Sequence, residues 1–461
     1  MRIITIAVMC YCLGITAGTS HLRASVRNDL DAVLLPVPAV SSDSDAYHSS
    51  EEPANNQAED AENPPVSTHK NFRRRANVFN NNANVDIIVK LEDNILRRRL
   101  NGIGQATAAE RKAAAEENKA AAAAAAQSMG VTARLTYGGS AFFGFATTVP
   151  RGKVGEITAD PRVANVEIDF IIQLDPREML EDRRQLAPPP GKGPNKDGGG
   201  GGDGDAQTTP WGITRVRGGS TYGGSGKAYV IDSGIDLDHP DLNVDAKSSV
   251  SFVKGKGGAD DQHGHGTHVA GTIAAIDNDF GVIGVAPGAA VVSVRVLDRS
   301  GSGYLSGIIG GIDYVAEKCG SSDVANMSLG GGKSESLNDA VIKASDNCPF
   351  VVAAGNEGDD AGNYSPASAG GPNNPNIYTV SAFENGDNWA YFSNYGSVVD
   401  YAGPGVGIES TWKDQDYATL RGTSMAAPHI AGVLLAGSIT TDGTVKGDKD
   451  STPDPIGVLV L

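Results

Sequence analysis

The chain has 461 residues, a formal net charge of −17 at pH 7, 40% hydrophobic residues and 59 glycines. That length exceeds one average domain and predicts two domains with connecting segments, and the hydrophobic share is sufficient for a buried core. The acidic balance argues against a nucleic-acid-binding protein, which needs a basic face to meet phosphates. It leaves solubility and the attraction of cations such as calcium as its consequences.

The N-terminus has the layout of a cleaved secretory signal peptide. Arg2 precedes an apolar run from Ile3 to about Ile15, and small residues follow at 17–20. We therefore expect residues 1–20 to be a signal peptide and the chain to be secreted and extracellular. The run is too short to span a bilayer comfortably. Because no other long apolar stretch exists, the sequence predicts no membrane anchor.

Two segments of different composition follow the signal peptide. Residues 21–84 are polar and rich in Ser, Asp, Glu, Asn and Pro, so they are predicted to be a disordered leader. Residues 85–175 indicate a strand, an alanine-rich helix, two strands turning at Gly138 and Gly139, a short helix and a final strand. This β-α-β-β-α-β order predicts a small ferredoxin-like α+β domain.

The second half of the chain is separated from this domain by a linker. Residues 176–207 contain prolines and then glycines, which predicts a segment that is stiff first and flexible afterwards. In residues 208–461, strand-like and helix-like segments alternate, which predicts an α/β domain with a mostly parallel sheet flanked by helices. Such sheets bind ligands beyond the carboxyl ends of their strands. Functional residues are therefore expected where predicted strands end.

A disulfide is one of two predictions for the cysteines outside the signal peptide. Cys319 and Cys348 form an even pair in an oxidising compartment. Each lies a few residues before an apolar run, so both sulfurs would lie at the same sheet edge if these runs are neighbouring parallel strands. The alternative is two free buried thiols.

Asp232 and Asn356 both follow predicted strands. Asp232 ends the apolar run AYVI, and Asn356 follows VVAAG. A carboxylate at the first position lies where the active site of such a sheet is expected, and an amide at the second can donate to an oxyanion. Both residue types are also common at ordinary strand ends and turns, so neither decides the function alone.

His265 opens a predicted helix within the segment HGHGTHVAGT. An exposed imidazole with a pKa near neutrality can act as a general base. His268 lies one helical turn later, which raises a metal site as the alternative. Zinc proteases use the pattern H-x-x-x-H with a glutamate between the histidines, and Gly266 and Thr267 supply no carboxylate. We therefore expect His268 to be a hydrogen-bonded structural residue.

Ser424 lies in GTSMAAPHIAG at the start of a predicted helix, whose Pro428 is tolerated only in a first turn. A serine there presents its hydroxyl outward, and its own N–H and the helix dipole point at the same place. These features suit a nucleophile whose product is an oxyanion, whereas the alternative is a plain N-cap serine. Asp, His and Ser occur in the order of subtilisin, which differs from those of chymotrypsin and the α/β-hydrolases.

Together these motifs resemble the subtilisin-like serine proteases, most closely the proteinase K branch. VIDSGI, GHGTHVAGT and GTSMAAPHIAG match the three signatures of that family, and NMSLGG, AAGN, NYSPAS, FSNYGS and GPG fall between them in the family's order. The resemblance extends from about Thr208 to Gly437. It implies a serine endopeptidase that hydrolyses protein or peptide substrates through an acyl-enzyme, with no cofactor for catalysis.

The resemblance also assigns roles to the matching positions. It implies that Ser424 is the nucleophile, that His265 is its base and then the acid for the leaving amine, and that Asp232 orients and stabilises the imidazolium. Asn356 and the Ser424 N–H would form the oxyanion hole. Six further residues would line the S1 pocket and leave room for a bulky side chain: Ser328, Leu329, Gly330, Ala353, Ala354 and Gly355.

Calcium and an inhibitory propeptide are further implications of the resemblance. Structural calcium would be bound by Asp400 and by the carbonyl groups of Pro375 and Ile377, because oxygen ligands suit this ion. Residues 85–175 resemble the subtilisin propeptide through FFGFATTVP and ADPRVANVEID. We therefore expect a zymogen that cleaves itself within 170–208, with its own propeptide as cis inhibitor and a monomeric product.

The sequence departs from the family pattern at two places, and three rival functions are also compatible with it. His263 stands where the branch often carries Asn, and it would either tune the nearby base or simply be exposed. The family's last helix and closing strands look shortened into the polar segment 439–461. The rivals are a secreted binding module that kept the fold without activity, an inhibitor acting through residues 85–175, and another serine hydrolase such as an esterase.

Overall fold

The computed structural model describes residues 83–93, 108–178 and 207–461. The signal peptide, nearly all of the leader and most of the linker therefore lie outside the described residues. So does the N-terminal part of the long alanine-rich segment.

The first described part of the chain folds into a small α+β domain. Its elements are β1 (Asn84–Leu91), α1 (Ala108–Ser128), β2 (Ala133–Tyr137), β3 (Gly144–Pro150), α2 (Val154–Thr158) and β4 (Val163–Ile168). The strands form an antiparallel sheet in the order β2-β3-β1-β4. The alanines of α1 have high helix propensity, and Ala122 and Ala126 pack in one core with Ile87 and Phe145. The element order is the one expected from the sequence.

The last strand predicted for this domain is split in two. β4 ends at Ile168, and a separate strand, β5 (Ile171–Gln173), pairs antiparallel with residues 302–304 of the large domain. Asp169 lies at the break, where its carboxylate accepts bonds from the backbone N and hydroxyl of Ser306 at 2.9 and 2.7 Å. The single apolar run in the sequence therefore serves two different sheets.

The large domain contains the remaining elements. In chain order these are α3 (Trp211–Arg215), β6 (Lys227–Asp232), β7 (Asn243–Val244), β8 (Val250–Ser251), α4 (His265–Ala274), β9 (Ala290–Arg295), β10 (Ser302–Tyr304), α5 (Leu305–Lys318), β11 (Val324–Met327), β12 (Gly331–Gly332), α6 (Glu335–Ala344), β13 (Phe350–Ala353), β14 (Tyr364–Ser365), β15 (Ile377–Glu384), β16 (Asn388–Trp389), β17 (Tyr401–Pro404), β18 (Ile408–Trp412), β19 (Asp416–Leu420), α7 (Thr423–Ala436), β20 (Ile439–Thr444) and β21 (Pro455–Leu459).

A mostly parallel sheet in the order β20-β21-β17-β15-β13-β11-β6-β9-β7 forms the centre of this domain. Helices cover both faces. Along β6, Tyr229 and Ile231 belong to the core that includes α5 and α6, whereas Ala228 and Val230 belong to the core that includes α4 and α7. A strand buried on both faces needs apolar residues throughout, which is why AYVI predicted this architecture correctly.

The small domain docks on α5 through buried polar contacts. The Asp313 carboxylate accepts hydrogen bonds from the backbone N–H groups of Gly138, Gly139 and Phe142 at 3.2, 2.9 and 3.2 Å. Phe142 is 1% exposed and packs in the core of the large domain. Burial of Asp313 raises the pKa of its carboxyl group. Both domains thus belong to one compact unit.

The two cysteines and the C-terminal segment 439–461 are both part of the large domain. Cys319 and Cys348 form a disulfide and lie just before β11 and β13, which are neighbouring parallel strands as expected. The polar segment 439–461 supplies the hairpin β20–β21, and β21 adds to the central sheet beside β17. Among the described helices, none is both long and apolar enough to cross a bilayer.

Candidate active site

The residues selected from the sequence come together at the carboxyl edge of the central sheet. Asp232 is the last residue of β6, and His265 is the first residue of α4. Ser424 is the second residue of α7, and Asn356 lies three residues after the end of β13. All four side chains are at most 9% exposed.

The start of α4 is fixed by a glycine and a buried carboxylate. Gly264 caps the helix with φ of 115°, a conformation that favours glycine, and a Cβ there would lie 2.2 Å from the Trp412 ring. The Asp261 carboxylate accepts from the backbone N–H groups of Gly264 and Thr267 at 2.9 and 3.0 Å. These contacts satisfy N–H groups that a helix start leaves unpaired and so hold His265 in place.

Asp232 and His265 form a close buried pair. The Nδ1 atom of His265 lies 2.8 and 2.9 Å from the two carboxylate oxygens of Asp232. The backbone N–H of Ser233 also donates to Asp232 at 2.6 Å. A carboxylate held in this way selects the imidazole tautomer that carries its proton on Nδ1, so that Nε2 faces the rest of the site.

Asn356 is oriented by the residue that precedes the serine. Its Oδ1 atom accepts from the backbone N and the hydroxyl of Thr423 at 2.9 and 3.0 Å. Because the amide oxygen is engaged there, the Nδ2 donor is directed towards Glu178 Oε1, the oxygen that also accepts from the Ser424 hydroxyl. Gly355 permits the turn, since its φ of 105° favours glycine and a Cβ would lie 2.3 Å from Asn394.

Glu178 is a site residue that the sequence analysis missed. It was assigned to the linker, yet it is only 5% exposed and lies among the functional side chains. Its Oε1 atom accepts from the Ser424 hydroxyl at 2.6 Å and from Asn356 Nδ2 at 2.9 Å. Its Oε2 atom forms an ion pair with His265 Nε2 at 3.3 Å. No sequence signal marks this glutamate, because it is brought to Ser424 across 246 positions of the chain.

The two carboxylates make His265 strongly basic. Burial opposes protonation of the imidazole, but the carboxylates of Asp232 and Glu178 outweigh it and raise the pKa of His265 to about 10. Within this site, Ser424 donates to Glu178 and the Nε2 atom of His265 makes no hydrogen bond. In this arrangement the Ser424 hydroxyl is therefore bonded to Glu178 and not to His265, and the raised pKa favours the protonated imidazole, which does not accept a proton.

The chain that leads to Glu178 lies in a groove beside the serine. β5 pairs with β10, and the backbone N–H of Leu174 donates to the carbonyl of Gly301 at 2.9 Å. Next to it is a cavity of about 60 Å³. Five of the six residues expected in the S1 pocket line this cavity: Leu329, Gly330, Ala353, Ala354 and Gly355. The sixth, Ser328, instead donates from its hydroxyl to the carbonyl of Ser424 at 2.7 Å.

The pKa values of two neighbouring histidines are lowered. Burial lowers the pKa of His268 to about 3, and its Nε2 lies 3.0 and 3.1 Å from the carbonyls of Ile408 and Ala418. This is the structural role expected from the sequence. Burial and the charge of His265 also lower the pKa of His263, whose ring centre lies 6.4 Å from that of His265. His263 is thus a partly buried neighbour of His265 rather than an exposed residue.

Oxygen atoms suited to calcium occur in two places. Asp400, predicted as a ligand, accepts from the backbone N of Thr379 at 2.9 Å and so lies beside the segment that carries Pro375 and Ile377. Burial raises the pKa of Asp400, and a bound cation would favour its charged form. The described residues contain no group of three or more His, Cys, Asp or Glu suited to a metal, but a site of one carboxylate and two carbonyls does not need such a group.

The second oxygen-rich place was not predicted. The Nε2 atom of Gln207 lies 2.6, 3.2 and 3.1 Å from Ile276 O, Asn278 Oδ1 and Val282 O. The amide of Asn278 donates to the buried carboxylate of Asp241 at 3.0 Å. Carboxylate, amide and backbone oxygens are the ligand types that calcium prefers. Ile276, Asn278 and Val282 lie in one short segment, whereas Gln207 and Asp241 come from other parts of the sequence, and no motif groups the five.

Comparisons with known proteins show the family to which the chain belongs. The model of the subtilase family, peptidase S8, matches residues 228–436. Subtilisin-like protease 2 from Pseudogymnoascus destructans is 40% identical over 350 residues, which cover 70% of this chain and 78% of the relative. The chain belongs to the subtilase family. Subtilases are serine proteases, so this protein is a hydrolase of peptide bonds in proteins or peptides, and its catalysis needs no cofactor.

Other similar proteins carry related names. Subtilisin Savinase from Lederbergia lenta is 44% identical over 234 residues, which cover 49% of this subtilase and 83% of the relative. The subtilisin-like serine protease AsES from Sarocladium strictum is 43% identical over 280 residues, which cover 54% of this chain and 69% of the relative. A crystal structure of a cold adapted subtilisin-like serine proteinase is 43% identical in sequence, with a TM-score of 0.43. The match covers 48% of this chain and 82% of the chain in that structure.

Proposed function

We propose that this subtilase is a secreted endopeptidase, made as a self-processing zymogen, in which Ser424, His265 and Asp232 form the catalytic triad. One observation carries the proposal. The Ser424 hydroxyl, the Asn356 amide and His265 Nε2 all meet a single carboxylate, with Asp232 behind the imidazole. That carboxylate occupies the space in which a reacting carbonyl group would contact a nucleophile, a base and an oxyanion donor.

The proposed reaction follows from these positions once Glu178 has left. Neutral His265 takes the proton of the Ser424 hydroxyl at Nε2 while Oγ attacks the substrate carbonyl carbon. Asn356 Nδ2 and the Ser424 N–H donate to the oxygen that becomes negative. The imidazolium, paired with Asp232, then gives its proton to the leaving amine, and water resolves the acyl-enzyme by the same steps.

The groove supports an extended peptide as the substrate. β5 already binds there as an added antiparallel strand, which is a general mode of peptide recognition through main-chain hydrogen bonds. The cavity lined by Leu329, Gly330 and the residues after β13 would accept the side chain before the scissile bond. We propose a preference for aromatic or large apolar side chains at this position.

The small domain is proposed to be the cis inhibitor. It packs on α5 through Asp313 and continues through β5 into the groove, so substrate and inhibitor would compete for the same surface. Release of residues up to the linker would free the groove. Secretion is supported by the sequence of residues 1–20, and we propose that the mature enzyme is a monomer.

Casein hydrolysis and serine labelling test the proposed function. The full chain and its Ser424→Ala variant are folded side by side, followed on a gel and incubated with casein and with an organofluorophosphonate, which phosphonylates an activated serine with loss of fluoride. We expect the wild type to shorten itself, to digest casein and to gain one label. The variant should remain full length, without activity or label.

Identical behaviour of the two chains would contradict the proposal. If both remain full length and unlabelled, the triad is not functional and the fold serves binding instead. If both digest casein, another group is the nucleophile. Far-ultraviolet circular dichroism of the two chains checks that the alanine variant folds, because a hydroxyl is all that it loses.

We also propose that structural calcium is bound, by Asp400 with the carbonyls of Pro375 and Ile377, and by the oxygens around Asp241. In the Ser424→Ala chain, which cannot digest itself, calcium added after chelation should stabilise the folded state by roughly 2.7 kcal/mol for each occupied site at a hundredfold excess over Kd. Thermal unfolding measures this gain. Asp400→Asn and Asp241→Asn should each remove part of it, and magnesium, which prefers a smaller octahedral site, is the control ion. An equal gain in all three chains would reject both sites.

A further inference from the structure

The contacts of Glu178 differ from those of an ordinary peptide in the groove. Up to Leu174 the chain runs as an extended strand beside β10. Residues 176–178 then form a 3-10 turn, and the Glu178 side chain, rather than a backbone carbonyl, reaches Ser424. The acceptor in front of the nucleophile is therefore a carboxylate.

A carboxylate is a poor target for the serine and a good ligand for this site. Its charge is spread over two oxygens, so its carbon is far less electrophilic than that of an amide. Oε1 takes the donors of Ser424 and Asn356, and Oε2 pairs with His265. Hydrogen bonds to a charged acceptor are stronger than neutral ones. The Glu178 carboxylate thus engages the amide of Asn356, the imidazole of His265 and the hydroxyl of Ser424 at the same time.

The turn that carries Glu178 is held from both sides. The backbone N–H of Arg421 donates to the carbonyl of Glu178 at 3.0 Å, and the guanidinium of Arg177 donates to the carbonyl of Asn356 at 3.3 Å. Arg177 also pairs with Asp175 at the beginning of the turn. These contacts fix the direction from which the carboxylate enters the site.

We propose that Glu178 is a side-chain inhibitor built into the precursor, whose carboxylate engages the Ser424 hydroxyl, the Asn356 amide and His265 Nε2 until the turn at 176–178 rearranges. The inference rests on the proposed function, because it concerns the regulation of the same site. In addition to the inhibition proposed for the whole small domain, this single residue keeps the uncut chain inactive.

The electrostatics around His265 support this role. The titratable groups that interact with its ring are Asp232 on β6, Glu178 on the turn, His263 before α4 and His268 one turn later. The pKa values of the two histidines are lowered. The net effect of the two carboxylates is to raise the pKa of His265 to about 10. Removing Glu178 removes one of the two raising charges, so the pKa of His265 falls and the neutral base is present at lower pH.

Four full-length chains test the proposal: the wild type, Glu178→Ala, Glu178→Gln and Glu156→Gln. The last changes an exposed carboxylate on α2 of the small domain and serves as the matched control. Each chain is refolded from denaturant at a series of pH values. The rate of self-shortening and the rate of organofluorophosphonate labelling of the uncut chain are then measured.

We expect Glu178→Ala to label and shorten at least about tenfold faster than the wild type at pH 7, because charge-assisted hydrogen bonds to the inhibitor are lost. Glu178→Gln keeps the shape and loses the charge. Its labelling should therefore begin at a lower pH than that of the wild type. Glu156→Gln should match the wild type in rate and pH profile.

The outcomes separate this inference from the proposed function. If wild type and Glu156→Gln digest casein but both Glu178 variants show wild-type rates and pH profiles, the inhibitor role of Glu178 is rejected and the proposed function stands. Slower labelling of both Glu178 variants also rejects it, because Glu178 would then assist folding. If no chain gains activity or label at any pH, the proposed function itself has failed. Should Glu178→Ala not fold, the isosteric glutamine variant decides.

Discussion

Alanine at Ser424, at His265 or at both should lower kcat for a peptide anilide by about the same factor, on the order of 10⁶ as in other subtilisin-type triads. In the proposed mechanism Ser424 is a weak nucleophile until His265 takes its proton. Removing either residue therefore abolishes the function of the other. The activity that remains should come from the proposed oxyanion donor Asn356 and from substrate binding.

The measurement needs chains from which the small domain has been removed in the same way. A recognition site for an unrelated protease, placed between residues 187 and 206, allows each variant to be cut and its N-terminal part separated. Ser438→Ala, at an exposed serine just after α7, is the matched control and should retain full kcat. Losses in the double variant that multiply those of the single variants would show that Ser424 and His265 act independently, against the proposed triad.

The sequence was most informative where burial leaves little choice of residue. Ala228, Tyr229, Val230 and Ile231 are apolar because β6 is covered on both faces, so the run predicted a parallel sheet. The order of strands in that sheet is set by packing between distant segments. The apolar run at 163–173 shows what the sequence does not predict. It forms both β4 and β5, and β5 pairs with β10 of the large domain. Alternation and propensity carry no information about that partner.

The same distinction holds for the candidate site. His265 and Ser424 are each surrounded by short local motifs, because a helix start with tight backbone packing imposes glycines and small residues nearby. Glu178 has no such motif. Its role depends on a turn that brings its carboxylate to Ser424 from a segment whose composition indicates a linker. The oxygens around Asp241 were missed for the same reason, since they meet only in the folded chain.

The contacts of Asp232 point to a second large effect. In Asp232→Asn, one oxygen of the side chain becomes an NH₂ group. If the remaining oxygen keeps the bonds from Nδ1 of His265 and from the N–H of Ser233, the NH₂ group faces the imidazole. An NH₂ group facing Nδ1 favours the tautomer with the proton on Nε2, which cannot receive the proton of Ser424. We expect kcat to fall by about 10⁴, the size found for the same change in other Ser-His-Asp enzymes, with little change in KM.

Steady-state kinetics over a pH series measures this effect on chains cut at the linker. Asp238→Asn changes an exposed carboxylate a few residues after β6 and serves as the control. Without the charge of Asp232, the largest raising influence on the pKa of His265 is gone, so the imidazole loses its proton at lower pH than in the wild type. A variant that kept wild-type kcat would show that Asp232 neither selects the tautomer nor stabilises the imidazolium. A variant with raised KM and unchanged kcat would instead give this carboxylate a role in substrate binding alone.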